Sequence, residues 1–116
     1  MKHIQWEDVM AEELNPLASR QVLHTEQMTV ARLRLAKGAV VERHSHVNEQ
    51  ISSVQSGVLR FEMGEGAEVV ILRAGESLVI PPDLPHRVVA EEDTEVTDVF
   101  APRREDWLRG EDAYLR

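Results

Sequence analysis

His44 and His46 stand two residues apart. On an extended chain residues two apart share a face, so both imidazoles can converge on one point. Gln50 follows four positions later, again an even step. If the chain stays extended from 44 to 50, parity sets Gln50 beside the two imidazoles and turns Glu49 to the opposite face, whereas a bulge there would exchange the two. A third imidazole, His86, follows Pro81-Pro82-Asp83-Leu84-Pro85, a rigid turn that fixes the start of the next strand. Three imidazoles and an amide oxygen are a donor set for one divalent ion, with Ni, Zn, Mn and Fe all compatible. On spacing alone the same residues also read as surface or hydrogen-bonded histidines. The chain has no cysteine, which excludes disulfides, thiolate metal sites and cysteine nucleophiles.

The elements that must position these groups read as all-β. Short apolar runs alternate with turn residues, and helical periodicity is scarce. Strands are predicted at Met28 to Leu35, Gln50 to Gln55, Val58 to Met63, Glu68 to Leu72, Ser77 to Ile80, Arg87 to Ala90 and Val96 to Phe100. Ala31, Leu33 and Leu35 alternate with Arg32 and Arg34, the pattern of a strand with one face in water. Val69 to Leu72 is apolar throughout, which predicts burial on both faces, between two sheets or under a partner subunit. The barrel core is expected over about 28–101, with 1–27 and 102–116 as arms. The first arm reads as a loop with at most one helical turn before Pro16. The second holds one turn over Glu105 to Arg109, acids first and Arg last, as the helix dipole favours.

Length and charge narrow the partners. A chain of 116 residues makes one domain. Its formal net charge of −8 repels phosphate backbones and anionic lipid, so neither nucleic acid nor membrane is expected as a partner. Met1 to Leu14 carries acids throughout and resembles no secretory leader, and no apolar run is long enough to span a bilayer, so a cytoplasmic location is expected. The partner left is a small molecule.

Beyond the possible ligands, Asp98 and Phe100 share a face of the last strand, and Arg103 and Arg104 follow. An inward acid is costly unless it is bonded or used, so Asp98 is either a general acid–base or an ion-pair partner. Phe100 is core or a wall for substrate. A guanidinium at a barrel mouth is shaped to clamp a carboxylate, although Arg103 and Arg104 also read as paired surface residues. Ser52 faces with Gln50 by parity, to fill the strand or to bond a ligand.

Two stretches carry a resemblance. Gly38, His44-Ser45-His46, Gln50 and Gly57 are spaced as in the first motif of the cupin superfamily, with Gln50 where that family usually has Glu. Gly75, Pro81-Pro82-Asp83, His86 and Ala90 resemble the second motif, with Asp83 in place of Gly and Ala90 in place of Asn. The resemblance implies a small double-stranded β-helix, a jelly-roll-like barrel, with the metal inside one end on His44, His46, Gln50 and His86. It also makes a homodimer the expectation. Four further stretches, Gln21 to His24, Glu49 to Ser52, Ile80 to Pro82 and Asp98 to Phe100, with Arg104 ahead of Glu105-Asp106-Trp107, resemble the small pectin-degradation cupins of the KdgF type. That similarity implies an enzyme linearising unsaturated uronates, in which Asp98 and Arg104 act on a substrate lined by Phe100 and Ser52. The alternatives are a metal cupin dioxygenase or lyase for a diketone or cyanohydrin-like substrate, and a module that only binds its ligand.

Overall fold

The computed structural model describes residues 1–66 and 68–116. Ten strands form two antiparallel sheets: β1 (Glu12–Asn15), β2 (Ala18–His24), β3 (Thr29–Leu35), β4 (Val40–His44), β5 (Glu49–Ser56), β6 (Val58–Met63), β7 (Glu68–Arg73), β8 (Ser77–Ile80), β9 (His86–Ala90) and β10 (Thr94–Ala101). The six-stranded sheet has the order β1-β2-β3-β10-β5-β8 and the four-stranded sheet the order β4-β9-β6-β7. The two face each other as a jelly-roll-like sandwich, and among the described residues no backbone ladder joins one to the other.

Alternation in the sequence decides which side chains meet between the sheets. Ala31, Leu33 and Leu35 of β3 are buried while Arg32 and Arg34 are exposed. From the facing sheet come Leu59, Phe61 and Met63 of β6, with Leu72, Val88 and Ala90. The seven predicted strands are all present with ends shifted by a residue or two. β1, β2 and β4 are additions: residues expected in an arm form two paired strands that make β3 an interior strand. Their sequences hide this, because Glu12-Glu13 and Ser19-Arg20-Gln21 are polar and pairing rather than apolar alternation holds them. Only Trp6–Asp8 forms the helical turn expected near the start.

The apolar run in β7 is corrected by the structure. Leu72 is buried, but Val69 and Ile71 are 51% and 41% exposed. β7 is an edge strand whose second face looks outward, so continuous hydrophobicity there does not mark two-sided burial within the chain.

Gly57, between β5 and β6, turns the chain with φ of 92°. A Cβ there would lie 2.2 Å from the Asp93 carbonyl oxygen and 2.4 Å from Thr94 Oγ1, because the hairpin is pressed against the β9–β10 turn. Gly57→Ala therefore combines a left-handed backbone with a backbone clash and is expected to cost about 3 kcal/mol or more. A urea titration reads this directly, and an unchanged midpoint would refute the close approach.

Candidate metal centre

The predicted ligands come from three strands and one loop. β4 ends at His44, His46 lies in the following loop, Gln50 is the second residue of β5 and His86 the first of β9. The chain is thus not extended from 44 to 50, and the premise of the parity argument fails. Its result stands for a different reason: within β5 the burial alternates, so Glu49 is exposed and Gln50 buried. A register shift between Val41 and His44 lets both face inward although they are an odd number of residues apart, and it sets His44 opposite His86 across the β4–β9 ladder. The Pro81–Pro85 turn holds the other side: Asp83, with φ of 64°, donates its backbone N–H to the His46 carbonyl (2.8 Å). Asp thus serves in a left-handed conformation otherwise suited to Gly.

The three rings meet. Candidate ligand atoms of His44, His46 and His86 all lie within 4.8 Å of one another. Each ring is held by a backbone carbonyl two residues away: Nδ1 bonds the carbonyl of Glu42 for His44 (2.7 Å), of Asn48 for His46 (3.0 Å) and of Leu84 for His86 (2.8 Å). A carbonyl only accepts, so each Nδ1 carries the proton and each Nε2 offers a lone pair. His86 Nε2 is buried with no hydrogen-bond partner among the described residues.

Gln50 completes the set. Its amide nitrogen donates to Ser52 Oγ (2.9 Å), and Ser52 Oγ donates onward to Asp98 Oδ1 (2.6 Å). That chain fixes the amide, leaving Oε1 3.0 Å from His46 Nε2. With Nδ1 protonated, both atoms are acceptors, and the lone-pair conflict is removed by a cation shared between them. Three imidazole nitrogens and one amide oxygen therefore fit one divalent ion.

Burial sets the protonation states. Desolvation, with smaller contributions from neighbouring imidazoles and Arg104, lowers His44 to about 3 and His46 to about 4, and it lowers His86 as well. Asp98 is pushed up to about 6 by burial, against the hydrogen bond from Ser52 and the charge of Arg104. The three neutral imidazoles make the unfolded chain the stronger proton binder below its ordinary value of 6.5, so stability falls as pH drops from there toward 4. Asp98 works the other way between its ordinary 3.8 and about 6, because there the folded chain binds the proton. Three groups outweigh one, and the metal-free thermal midpoint is expected to drop steadily on acidification from pH 6.5 to 4. A midpoint that rises over that interval would contradict neutral imidazoles in the folded chain.

The remaining predicted site residues gather around the same cavity, about 40 Å³ in volume, lined among others by His44, Gln50, Ser52, His86, Asp98, Phe100 and Arg104. Ser52 and Phe100 are fully buried, and the Phe100 ring stands edge-on to His46 at 5.6 Å. Arg104 is 1% exposed rather than a surface group. Its guanidinium lies 4.7 Å over Phe100 and 4.4 Å over Trp107, and pairs with Asp106 through Nε (3.0 Å) and Nη2 (2.8 Å). Arg103 stays outside, paired with Glu105 (2.6 Å). A depression of about 550 Å³ lies at the opposite end of β10 beside Thr94 and Glu95, away from these groups.

Three residues of the site were missed in the sequence. Asn48 accepts the His46 proton on its carbonyl and ties the loop to the Arg103 carbonyl through Nδ2 (3.0 Å). Trp107, on the short helix α1 (Glu105–Leu108), packs edge-on against Phe100 at 5.2 Å. Tyr114 stacks on His44 at 4.5 Å, and its hydroxyl meets Arg104 and Trp107 Nε1 (3.0 Å). The available signal was an aromatic–apolar pair, Tyr114-Leu115, in an otherwise charged tail.

Comparison with known proteins agrees with this geometry. The profile of the family described as Cupin domain matches residues 31–100. The pectin degradation protein KdgF of Dickeya dadantii is 31% identical over 100 residues, covering 84% of this chain and 89% of that protein. The structure of KdgF from Halomonas sp. superposes with a TM-score of 0.78 at 30% identity, covering 87% of this chain and 94% of the other. An RmlC-like cupin from Shewanella frigidimarina superposes with a TM-score of 0.83 at 28% identity, covering 92% and 96%. No helix among the described residues is long and apolar enough to cross a membrane. With the family profile over most of the sandwich and a KdgF matched almost end to end, this chain belongs to the cupins and is KdgF-like.

Proposed function

We propose that this cupin is an enzyme that converts a 4,5-unsaturated uronate to its linear keto form. The observation that carries the reading is the meeting of a half-buried carboxyl, a buried guanidinium and two of the three converging imidazoles on one cavity. Similarity to a pectin degradation protein points to the same substrate class. His44, His46, Gln50 and His86 would hold a single divalent ion, Ni, Zn, Mn or Fe, which when bound supplies Lewis-acid polarisation of substrate oxygens.

The reaction is an isomerisation and needs no oxidant or reductant. The bond between the ring oxygen and the anomeric carbon breaks as the anomeric hydroxyl gives up its proton. A proton then adds to C4 as the C4–C5 double bond moves onto the C5 oxygen to make the ketone. One proton leaves and one arrives, so a single carboxyl can carry both transfers. Asp98 suits that task, because burial holds it at about 6, within a unit of neutrality. Ser52 orients it through the 2.6 Å hydrogen bond to Oδ1. Arg104 has Nε and Nη2 engaged by Asp106, and its remaining nitrogen, Nη1, would take the substrate carboxylate. Phe100 walls the site from the core.

The test is direct. Metal-loaded protein mixed with unsaturated galacturonate or guluronate is expected to discharge the absorbance of the conjugated double bond while a linear keto acid appears in the NMR spectrum. Binding of these compounds without product over hours would leave a ligand-binding cupin, and oxygen uptake with another substrate would favour a dioxygenase.

A further inference from the structure

The cavity beneath the imidazoles holds about 40 Å³, room for an ion and a few waters, while a pocket that buries a ligand the size of a sugar acid is typically about 300 Å³ or larger. The missing space is filled by the chain itself. After Gly110, which turns with φ of 75°, the segment folds back over the imidazoles, burying Leu115 and bringing Tyr114 against His44. The Tyr114 ring stacks at 4.5 Å and 28° on the imidazole, and its hydroxyl accepts hydrogen bonds from Arg104 Nη2 and Trp107 Nε1. A flat ring beside the imidazole and an oxygen on the guanidinium are what a bound sugar acid would itself supply.

The fastening of this segment is ionic and polar. Asp112 pairs with Arg20, Arg116 reaches both Asp112 (3.1 Å) and Glu12 (3.2 Å), and Asn15 Nδ2 donates to the Leu115 carbonyl (3.2 Å). Apart from Tyr114 and Leu115 the segment buries little apolar surface, and a Cβ at Gly110 would meet no atom within 4 Å, so the turn has open space around it. The half-exposed Arg116 pairs separate at lower cost than a packed core, so the end of the segment opens more readily than Asp112, whose pair with Arg20 is buried.

We propose that residues 111–116 are a strap that fills the substrate pocket in the resting protein, with Tyr114 as its plug, and that a sugar acid binds by displacing the strap about Gly110. The substrate class rests on the function proposed above; the strap itself does not. A ligand that displaces the strap binds more weakly by the fraction of closed chains, so loosening the strap raises apparent affinity.

The competing route runs past His46, where a depression of about 260 Å³ lined by Ser45, Asn48, Arg103 and Arg109 reaches the outer side of the ring. If ligands use that route, the C-terminal segment is a fixed wall.

His86 reports on the strap without metal or substrate, because it is 1% exposed and lines the same cavity as Tyr114 and Leu115. In the metal-free protein, the rate at which diethyl pyrocarbonate modifies His86 is read by mass spectrometry. Arg116→Ala removes two ion pairs from a residue whose side chain is 41% exposed, and it is expected to speed modification about threefold. Tyr114→Ala is expected to speed it at least about tenfold, with unchanged circular dichroism in both variants. Unchanged rates in both would overturn the strap. Amide exchange of 111–116 is followed in parallel with saturating D-galacturonate: acceleration supports displacement, and protection shows a fixed wall. If galacturonate alters exchange nowhere, the sugar-acid reading fails and the His86 rates alone decide the strap.

Discussion

His86→Ala is expected to give a folded protein whose affinity for a divalent ion is at least about a thousandfold lower than that of the parent. The ring lies opposite His44 across the β4–β9 ladder, 1% exposed, with a lone pair at Nε2 that meets no donor among the described residues. Removing it takes away one of three nitrogens converging within 4.8 Å, and the two left are too few to compete with water and chelators. The fold should survive, because the ring's one protein hydrogen bond is to the Leu84 carbonyl at the start of a strand, and an unpartnered buried nitrogen is a cost that the substitution relieves. Elemental analysis after dialysis, paired with a thermal melt, checks both halves. Retained metal would mean that His86 is not a ligand, and an unfolded variant would mean that it is chiefly structural.

Asp98→Asn separates chemistry from metal binding. The amide keeps the size of the carboxyl and can still accept the Ser52 hydroxyl on its oxygen, so the Gln50–Ser52 arrangement and the metal content should persist. What disappears is a group that can gain and lose a proton near neutrality. Turnover of an unsaturated uronate is expected to fall by about 10²- to 10⁴-fold, with KM little changed. In the parent, kcat should rise with pH through the ionisation of Asp98 near 6, since the ionised form takes the first proton. The variant should lose that limb. Near-parental turnover with metal in place would remove Asp98 from the mechanism.

The candidate site was more legible in the sequence than the fold around it. Ligand types at even spacing and a proline-rich turn brought His44, His46, Gln50 and His86 together, although the chain between 44 and 50 is a loop and a register shift before His44 does what unbroken extension was expected to do. The strands that alternate apolar and polar residues were found. β1 and β2 were not, since Glu12-Glu13 and Ser19-Arg20-Gln21 are held by backbone pairing and the Arg20–Asp112 ion pair, which local periodicity does not encode. β7 misled in the other direction: an apolar edge strand reads like a doubly covered one until its neighbours are known. Arg104 was placed at the mouth, and its burial between Phe100, Trp107 and Asp106 depends on a tail whose return no spacing announces.

Each of the three histidine rings is tethered at Nδ1 to a carbonyl two residues away in its own segment. Imidazole orientation is therefore fixed while the backbone takes shape, and capture of an ion need not freeze those side-chain torsions a second time. Because the inward nitrogens of His44 and His46 are bare well below neutrality, and burial lowers His86 too, an arriving cation has no hydrogen ion to evict from them near neutral pH. Loading should behave like docking into a finished socket, sensitive to how the ion reaches it and almost indifferent to acidity across the physiological range.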